Sequence, residues 1–315
     1  MRRRLAGVCL ALACAASAGW AGSLNYCQSE TELAVGVQDR LMQVAGLVKA
    51  ELDRSGQRVA LVARSGLALQ RLDQRYSHAG ISLKASGNTP WSVRQLYYAC
   101  DAQRPRIFDQ GMTGFVLGVH DAAEGYVSIV LLPDSAALAL EQAALDNQQA
   151  LQLLGALYSA NAYAFGQTYQ NCNQWVAELL AVAWGQLPAS DHPRQEAQNW
   201  LQEQGYQPSV LRVGWRPLMA VAALLPWLHR DDHPTQDLHA SQFRVSMPQS
   251  IEAFVHARLP AATRLELCYT ERHIVLHRGW EPITPGCQPS DGDAVTLLPR
   301  RIPEVFAPAN GEASP

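Results

Sequence analysis

The sequence lacks the features that identify several large functional classes. It has no basic patch: its 25 Lys and Arg are outnumbered by 28 Asp and Glu, and the formal net charge is −3. A nucleic-acid-binding surface needs such a patch. The sequence also contains no internal repeat. We therefore expect no nucleic-acid partner, and the charge pattern names no other partner.

Long apolar runs are missing as well, and the one near the start is too short to span a bilayer. Residues 2–4 are arginines, residues 5–16 are mostly apolar, and Ala18 and Ala21 offer small residues for cleavage. This pattern predicts a signal peptide over residues 1–21. Cys14 leaves lipid attachment as a minor alternative. We expect a periplasmic or secreted protein with no membrane span after processing.

Cysteines are few, and processing would leave an odd number of them: Cys27, Cys100, Cys172, Cys268 and Cys287. In an oxidising compartment an odd number suggests bridges plus one free thiol. Cys268 and Cys287 are close in sequence, and Cys27 could pair with Cys100. Although the sequence leaves the connectivity open, Cys172 is the natural candidate for the free thiol.

Ordered metal-ligand spacing is also missing. The run from His229 to His233 contains suitable ligand types, but no helical or strand period orders them, and Pro234 keeps the segment irregular. A polar surface loop is the favoured interpretation. A metal-binding role for residues 229–239 remains a third alternative, and we expect no metal or other cofactor.

The most informative feature present is the segment from Tyr169 to Leu180. Asn171 is a suitable N-cap, and apolar residues then recur at helical spacing from Cys172 onward. A thiol at the first helical position lies at the positive end of the helix dipole, which favours the thiolate. The first-turn amides could form an oxyanion hole. We place Asn171, Asn173 and Tyr169 at the oxyanion site or cleft. The alternative is a buried cysteine that only anchors the helix.

A base for this thiol is predicted upstream. His78 lies near the start of a strand over residues 75–83, beside two small residues. An imidazole can hold a thiol ionised and then protonate the leaving group. Gln95, on the following strand, has an amide oxygen that can orient the ring. The alternatives are a structural histidine and an exposed strand glutamine, and His120 is the main rival to Gln95.

Two motifs resemble those of a known superfamily. Ser-His-Ala-Gly-Ile-Ser-Leu at residues 77–83 and Asn-Cys-Asn-Gln-Trp-Val at residues 171–176 resemble the histidine strand and cysteine helix of circularly permuted papain-like hydrolases. These NlpC-type relatives include the lecithin:retinol acyltransferase group. Residues 26–185 also resemble a proteobacterial domain family of unknown function. The resemblance implies a cysteine helix packed on a small antiparallel sheet, and thiol hydrolysis or acyl transfer. Gln95 departs from the histidine often found at the third position.

The periodicity predicts helices and strands typical of an α+β fold with a small antiparallel sheet. The predicted helices cover residues 30–55, 135–160, 194–203 and 218–228, with a short one after 243. The predicted strands cover residues 58–64, 75–83, 91–99, 115–119, 126–132, 264–269 and 273–277. We divide the chain into a signal peptide (1–21), a permuted papain-like domain (26–186), a C-terminal segment or small second unit (187–298) and a disordered tail (299–315).

These observations support an exported cysteine hydrolase or acyl/amide transferase with Cys172 as nucleophile, His78 as base and Gln95 as the orienting group. The expected substrates are amide bonds, above all those of cell-wall peptides, and an acyl ester or lipid amide is the second choice. The alternative is a periplasmic structural or binding protein that keeps the fold without catalysis. A free, acidic thiol at Cys172 beside His78 would distinguish the two.

Overall fold

The computed structural model describes residues 33–118, 123–214 and 225–298. The helices are α1 (Val35–Arg54), α2 (Met112–Leu117), α3 (Asp134–Leu145), α4 (Asn147–Gln152), α5 (Cys172–Gly185), α6 (Pro193–Glu203), α7 (Thr235–His239) and α8 (Pro248–Arg258). The strands are β1 (Val59–Arg64), β2 (His78–Leu83), β3 (Ser92–Ala99), β4 (Arg104–Gln110), β5 (Gly125–Leu131), β6 (Leu157–Tyr158), β7 (Tyr169–Gln170), β8 (Ser209–Arg212), β9 (Gln242–Val245), β10 (Thr263–Tyr269), β11 (His273–Arg278) and β12 (Ala294–Leu297).

One large antiparallel sheet organises the protein. Its eight strands follow the order β12-β11-β10-β5-β1-β2-β3-β4. The prediction of a small sheet was therefore wrong, because β10, β11 and β12 of the C-terminal segment pair onto β5 and extend the same sheet. Residues 263–297 and residues 59–131 thus share one hydrogen-bonded layer. The division of the chain into domains stays a prediction.

Helices cover both faces of this sheet. On β1, which is buried along its whole length, alternate residues enter two different hydrophobic clusters. Leu61 and Ala63 pack with α3, α5, α6 and α8, on what we call the α5 side. Ala60 and Val62 pack with α1 and α2, on the α1 side. A strand covered on both faces is apolar throughout, which explains the unbroken apolar run in β1.

Helix α5 is the central helix of the α5 side, and its residues from Cys172 to Ala183 are all buried. Asn171 caps its start, since the side-chain oxygen accepts the N–H of Gln174 at 2.7 Å. The helix includes a buried carboxylate, Glu178, to which Arg194 of α6 donates at 3.0 Å. Burial raises the pKa of Glu178, and Arg194 opposes that rise. The pairing allows a helix that is buried all round to carry a charge.

The structure differs from the predicted elements at several points, and the elements not predicted are β4, β6, β7, β8, β9, β12 and α7. Residues 115–117, predicted as part of a strand over residues 115–119, lie in helix α2 instead. β4 is half-exposed, contains Pro105 and pairs only with β3, as is typical of an edge strand. The predicted helix over residues 135–160 breaks at Asp146, whose backbone is extended and whose side chain caps α4 by accepting the N–H of Gln148 at 2.9 Å.

Several predictions fall outside the described residues. These are the signal peptide, Cys14, Cys27, His120, the tail from residue 299 and most of the helix predicted over residues 218–228. Among the described helices, none is both long and apolar enough to cross a membrane.

Candidate functional site

Cys172 is the only free cysteine among the described residues, and 6% of its surface is exposed. Cys268 and Cys287 form a disulfide, as predicted. Cys100 is disulfide-bonded as well. The structure therefore leaves Cys172 as a thiol at the first position of α5.

The electrostatics of this thiol differ from the prediction. Burial raises the pKa of Cys172 to about 12, although several groups act in the opposite direction. Those groups are the backbone N–H of Asn173, the positive charge of Arg64, the N–H of Cys172 itself and a hydrogen bond from Tyr158. The helix start does favour the thiolate, as expected from its free amides. Desolvation is the larger effect, so the resting group at neutral pH is the protonated thiol.

His78 begins β2, and its ring is held by a chain of two amides. The ring Nε2 lies 2.5 Å from Oε1 of Gln95, and Nε2 of Gln95 donates to Oε1 of Gln110 at 2.6 Å. Because the second bond directs the carbonyl oxygen of Gln95 at the ring, Nε2 of His78 is the protonated nitrogen and Nδ1 carries the lone pair. The structure thus brings together His78 and Gln95, the residue predicted to orient it.

His78 is neutral in this environment. Its pKa is lowered to about 3, mainly by burial and secondly by the charge of Arg64, while the bond to Gln95 acts in the opposite direction. A neutral imidazole with a free lone pair is the protonation state that a general base requires.

Asn173 ties the cysteine helix to the histidine strand. Its Oδ1 accepts the N–H of Ala79 at 2.9 Å, and its Nδ2 donates to the carbonyl oxygen of Ser77 at 3.2 Å. These are the peptide groups on either side of His78. The side-chain amide predicted to line the oxyanion site is therefore occupied in fixing α5 against β2.

The side chains of Cys172 and His78 belong to opposite faces of the sheet. Cys172 lies in the hydrophobic cluster of the α5 side. The His78 ring packs on the α1 side, with ring centroids 5.3 Å from Tyr97 and 6.0 Å from Phe115. Among the described residues, no hydrogen bond joins the thiol to the ring. The ring of His78 is hydrogen-bonded to Gln95 instead. The cysteine helix and the histidine strand are joined at the start of β2, where Asn173 hydrogen-bonds to the backbone on either side of His78.

The other two residues predicted at the cleft also have structural contacts. Asn171 is the N-cap of α5. Tyr169 donates its hydroxyl to Asp231 at 3.1 Å, and its ring stacks on His229 at 4.1 Å. The segment around His229 is therefore not a plain surface loop, because it packs against the loop that leads into Cys172.

The histidines at 229–239 do not form a metal centre within the described residues. His233 is buried and donates from Nε2 to the carbonyl oxygen of Asn161 at 2.7 Å. Across all the described residues, the one group with metal-ligand geometry is Glu124 with Cys268 and Cys287. The thiols of that group are consumed in the disulfide.

Sequence analysis missed two residues beside the site, Arg64 and Tyr158. Arg64 ends β1 directly opposite His78 in the β1–β2 register and is 4% exposed. In the sequence, Arg64 is the charged residue at the end of an apolar strand, and this pattern is equally typical of a strand end exposed to solvent. Tyr158, which hydrogen-bonds to Cys172, is one of several aromatic residues that precede the cysteine helix, and no pattern in the sequence distinguishes it from the others.

These features define an α+β protein with a large antiparallel sheet and, within the described ranges, one free thiol at a helix start. The chain belongs to the family described as "Uncharacterized protein conserved in bacteria (DUF2145)", whose model matches residues 51–255. The match includes Arg64, His78, Gln95 and Cys172 and ends before β10. No curated protein and no solved structure matches this chain.

Proposed function

We propose that this protein is an exported cysteine hydrolase or acyl/amide transferase of the papain-like type, acting on amide bonds such as those of cell-wall peptides. Cys172 is the nucleophile, His78 the base and Gln95 the positioning residue. The observation that carries the proposal is the double hydrogen bond of Asn173, which fixes the start of the cysteine helix to the peptide groups flanking His78. The papain-like relationship rests on the two motifs.

The protonation states indicate how such a reaction would begin. The thiol and the imidazole are both neutral at rest. As Sγ attacks the substrate carbonyl carbon, its proton passes to Nδ1 of His78, and Gln95 accepts from the other ring nitrogen. The imidazolium then protonates the departing amine. Water, or an acceptor in the transferase case, attacks the remaining thioester and releases the acyl group, which restores the thiol.

The developing oxyanion would be stabilised by backbone amides. The N–H groups of Cys172 and Asn173 already point at Sγ, whereas the N–H of Gln174 is occupied by the Asn171 cap. Two amides at a helix start, next to the nucleophile, match the donor arrangement that acyl transfer requires. Because the ring of His78 lies on the other face of the sheet, attack requires a conformation of the free protein in which Nδ1 comes within reach of the thiol.

The separation of the Cys172 thiol from the His78 ring favours a second candidate function. A buried thiol whose pKa is raised to about 12, with no hydrogen bond to the histidine in the described part of the chain, fits a non-catalytic binding or structural protein. In that protein Cys172 anchors α5 and His78 is a satisfied core group.

Labelling of Cys172 with iodoacetamide over a range of pH, with the site mapped by mass spectrometry, separates the two candidates. A hydrolase predicts that Cys172 labels and that His78→Ala slows the reaction at least about tenfold, since general-base catalysis contributes about 10²–10⁴-fold. His192→Ala is the matched control, because His192 is exposed and remote in sequence from the site. A thiol that is unreactive, or indifferent to His78→Ala, would refute the enzyme.

The substrate class is tested with peptidoglycan fragments. Release of new amino groups by the wild-type protein but not by Cys172→Ala supports an amidase. If acyl esters or lipid amides are cleaved instead, the cysteine-dependent reaction is supported and the assignment of cell-wall peptides as substrate is wrong.

A further inference from the structure

Arg64 is a buried cation without a carboxylate partner among the described residues. Its Nη1 donates to the carbonyl oxygen of Ser65 and its Nη2 to the hydroxyl of Tyr97, both at the long distance of 3.3 Å. Its Nε is buried and has no hydrogen-bond partner. Each of the other strongly buried arginines described, Arg194 and Arg264, is paired with a glutamate. A buried cation left in this state is costly, so a ligand that supplies the missing negative charge would be favoured at this position.

The position of Arg64 places this cation beside the candidate site. Arg64 is the direct partner of His78 in the β1–β2 register, and its guanidinium lies 5.3 Å from the centroid of Phe115, which also packs on the His78 ring. The charge of Arg64 influences both His78 and Cys172.

Two glycines let the backbone pack closely against the guanidinium of Arg64. A Cβ atom on Gly66 would lie 2.8 Å from Nη1, and one on Gly118 would lie 2.5 Å from Nη2. Both glycines are partly exposed, as is Tyr97. The guanidinium therefore lies directly beneath backbone at the protein surface. A side chain at either glycine would clash with the guanidinium, so the two glycines allow it to lie this close to the surface.

We propose that Arg64 and the hydroxyl of Tyr97 bind a carboxylate of the substrate, so that the enzyme acts on amides that carry a free carboxylate near the scissile bond. This inference rests on the proposed function. The planar fork of a guanidinium matches the two oxygens of a carboxylate. The unpartnered Nε and the weakly bonded Nη groups provide the donors, and Tyr97 adds a neutral one.

The binding step is tested without any use of thiol chemistry. The ¹⁵N–¹H resonance of Arg64 Nε in the full chain is followed during titration with N-acetylglycine and, separately, with the neutral N-acetylglycinamide. We expect a saturable shift with the acid and at least about tenfold weaker binding of the amide, as for a charge-assisted hydrogen bond. No saturable shift, or equal shifts with both probes, would overturn the proposal. Tighter binding of inorganic phosphate than of N-acetylglycine would overturn the carboxylate assignment.

Variants link the binding to these residues. We expect Tyr97→Phe, which removes one hydroxyl and keeps the ring, to weaken N-acetylglycine binding several-fold, as measured by backbone amide shifts. Arg64→Lys should weaken it further, because the fork is lost while the charge remains. Arg104→Gln, at an exposed position of the edge strand β4, is the matched control and should change nothing. Unchanged affinity in Tyr97→Phe and Arg64→Lys would refute the assignment.

The ratio of alkylation rates with iodoacetate and iodoacetamide connects the cation to the nucleophile. In the wild-type protein we expect Cys172 to favour the anionic reagent, and Arg64→Lys to reduce that preference. If Cys172 reacts with iodoacetamide in a His78-dependent way but shows no preference for iodoacetate, the proposed enzyme is supported and the carboxylate site is refuted. If Cys172 reacts with neither reagent, the proposed function falls, and the N-acetylglycine titration still decides whether the anion site exists.

Discussion

The buried, neutral His78 predicts a specific loss of stability in mild acid. Its pKa is lowered from 6.5 to about 3 in the folded protein, so between these values the unfolded chain binds a proton that the folded protein does not. Stability conferred by the neutral ring is therefore present above pH 6.5 and is lost as the pH falls towards 3. Linkage gives a loss of about 2 kcal/mol at pH 5 and about 3 kcal/mol at pH 4, relative to pH 7.

The measurement is urea unfolding of wild-type protein and of His78→Gln at pH 7, 5 and 4. Other buried groups also titrate here: burial lowers the pKa of His233 and raises that of Glu178 and Glu252. Because both proteins share these groups, their effects cancel in the difference between the two unfolding free energies. That difference should shift in favour of the variant by about 2 kcal/mol at pH 5. A difference that stays constant with pH would show that His78 titrates normally, and the neutral base would be refuted.

Three further outcomes follow from the contacts of the site. Asn173→Ala should lower the unfolding free energy by about 1–3 kcal/mol, because it leaves the buried amide that follows His78 unpaired; a loss below about 0.5 kcal/mol in urea unfolding would show that the tie is dispensable. Gln95→Glu places a carboxylate against the ring and should raise the pKa of His78 by about 1–3 units, followed by NMR titration; an unchanged pKa would show that the two side chains are apart in solution. Replacing Cys268 and Cys287 together by serine should cost about 3 kcal/mol in non-reducing urea unfolding, and an unchanged midpoint would show that the bridge constrains nothing.

Local sequence patterns were sufficient for the elements that carry the candidate site. The N-cap and apolar period of α5, and the turn between β2 and β3, depend on neighbouring residues only, and both appear in the structure. Gln95 also contacts His78 from the following strand, where the sequence placed it.

Properties that depend on the whole sheet did not follow from local patterns. The face of the sheet on which His78 lies depends on how the helices cover both sides. The residues next to His78 in the sequence do not indicate that arrangement. The same holds for Arg64, whose burial results from α2 and from the loops containing Gly66 and Gly118. The sequence predicted a lowered pKa for Cys172, because the helix start, which favours the thiolate, is a local feature. The desolvation that raises this pKa instead arises from residues packed around the thiol that are distant in sequence.

The position of β10 has a consequence for how the chain can be shortened or synthesised. In a chain cut after residue 186, or during synthesis before residue 263 is made, β5 has a partner on one side only, and its backbone N–H and C=O groups on the other side face solvent. An apolar strand open along one edge pairs readily with other molecules. Strand β10 thus protects β5 from pairing with other molecules, whatever chemistry the cysteine performs.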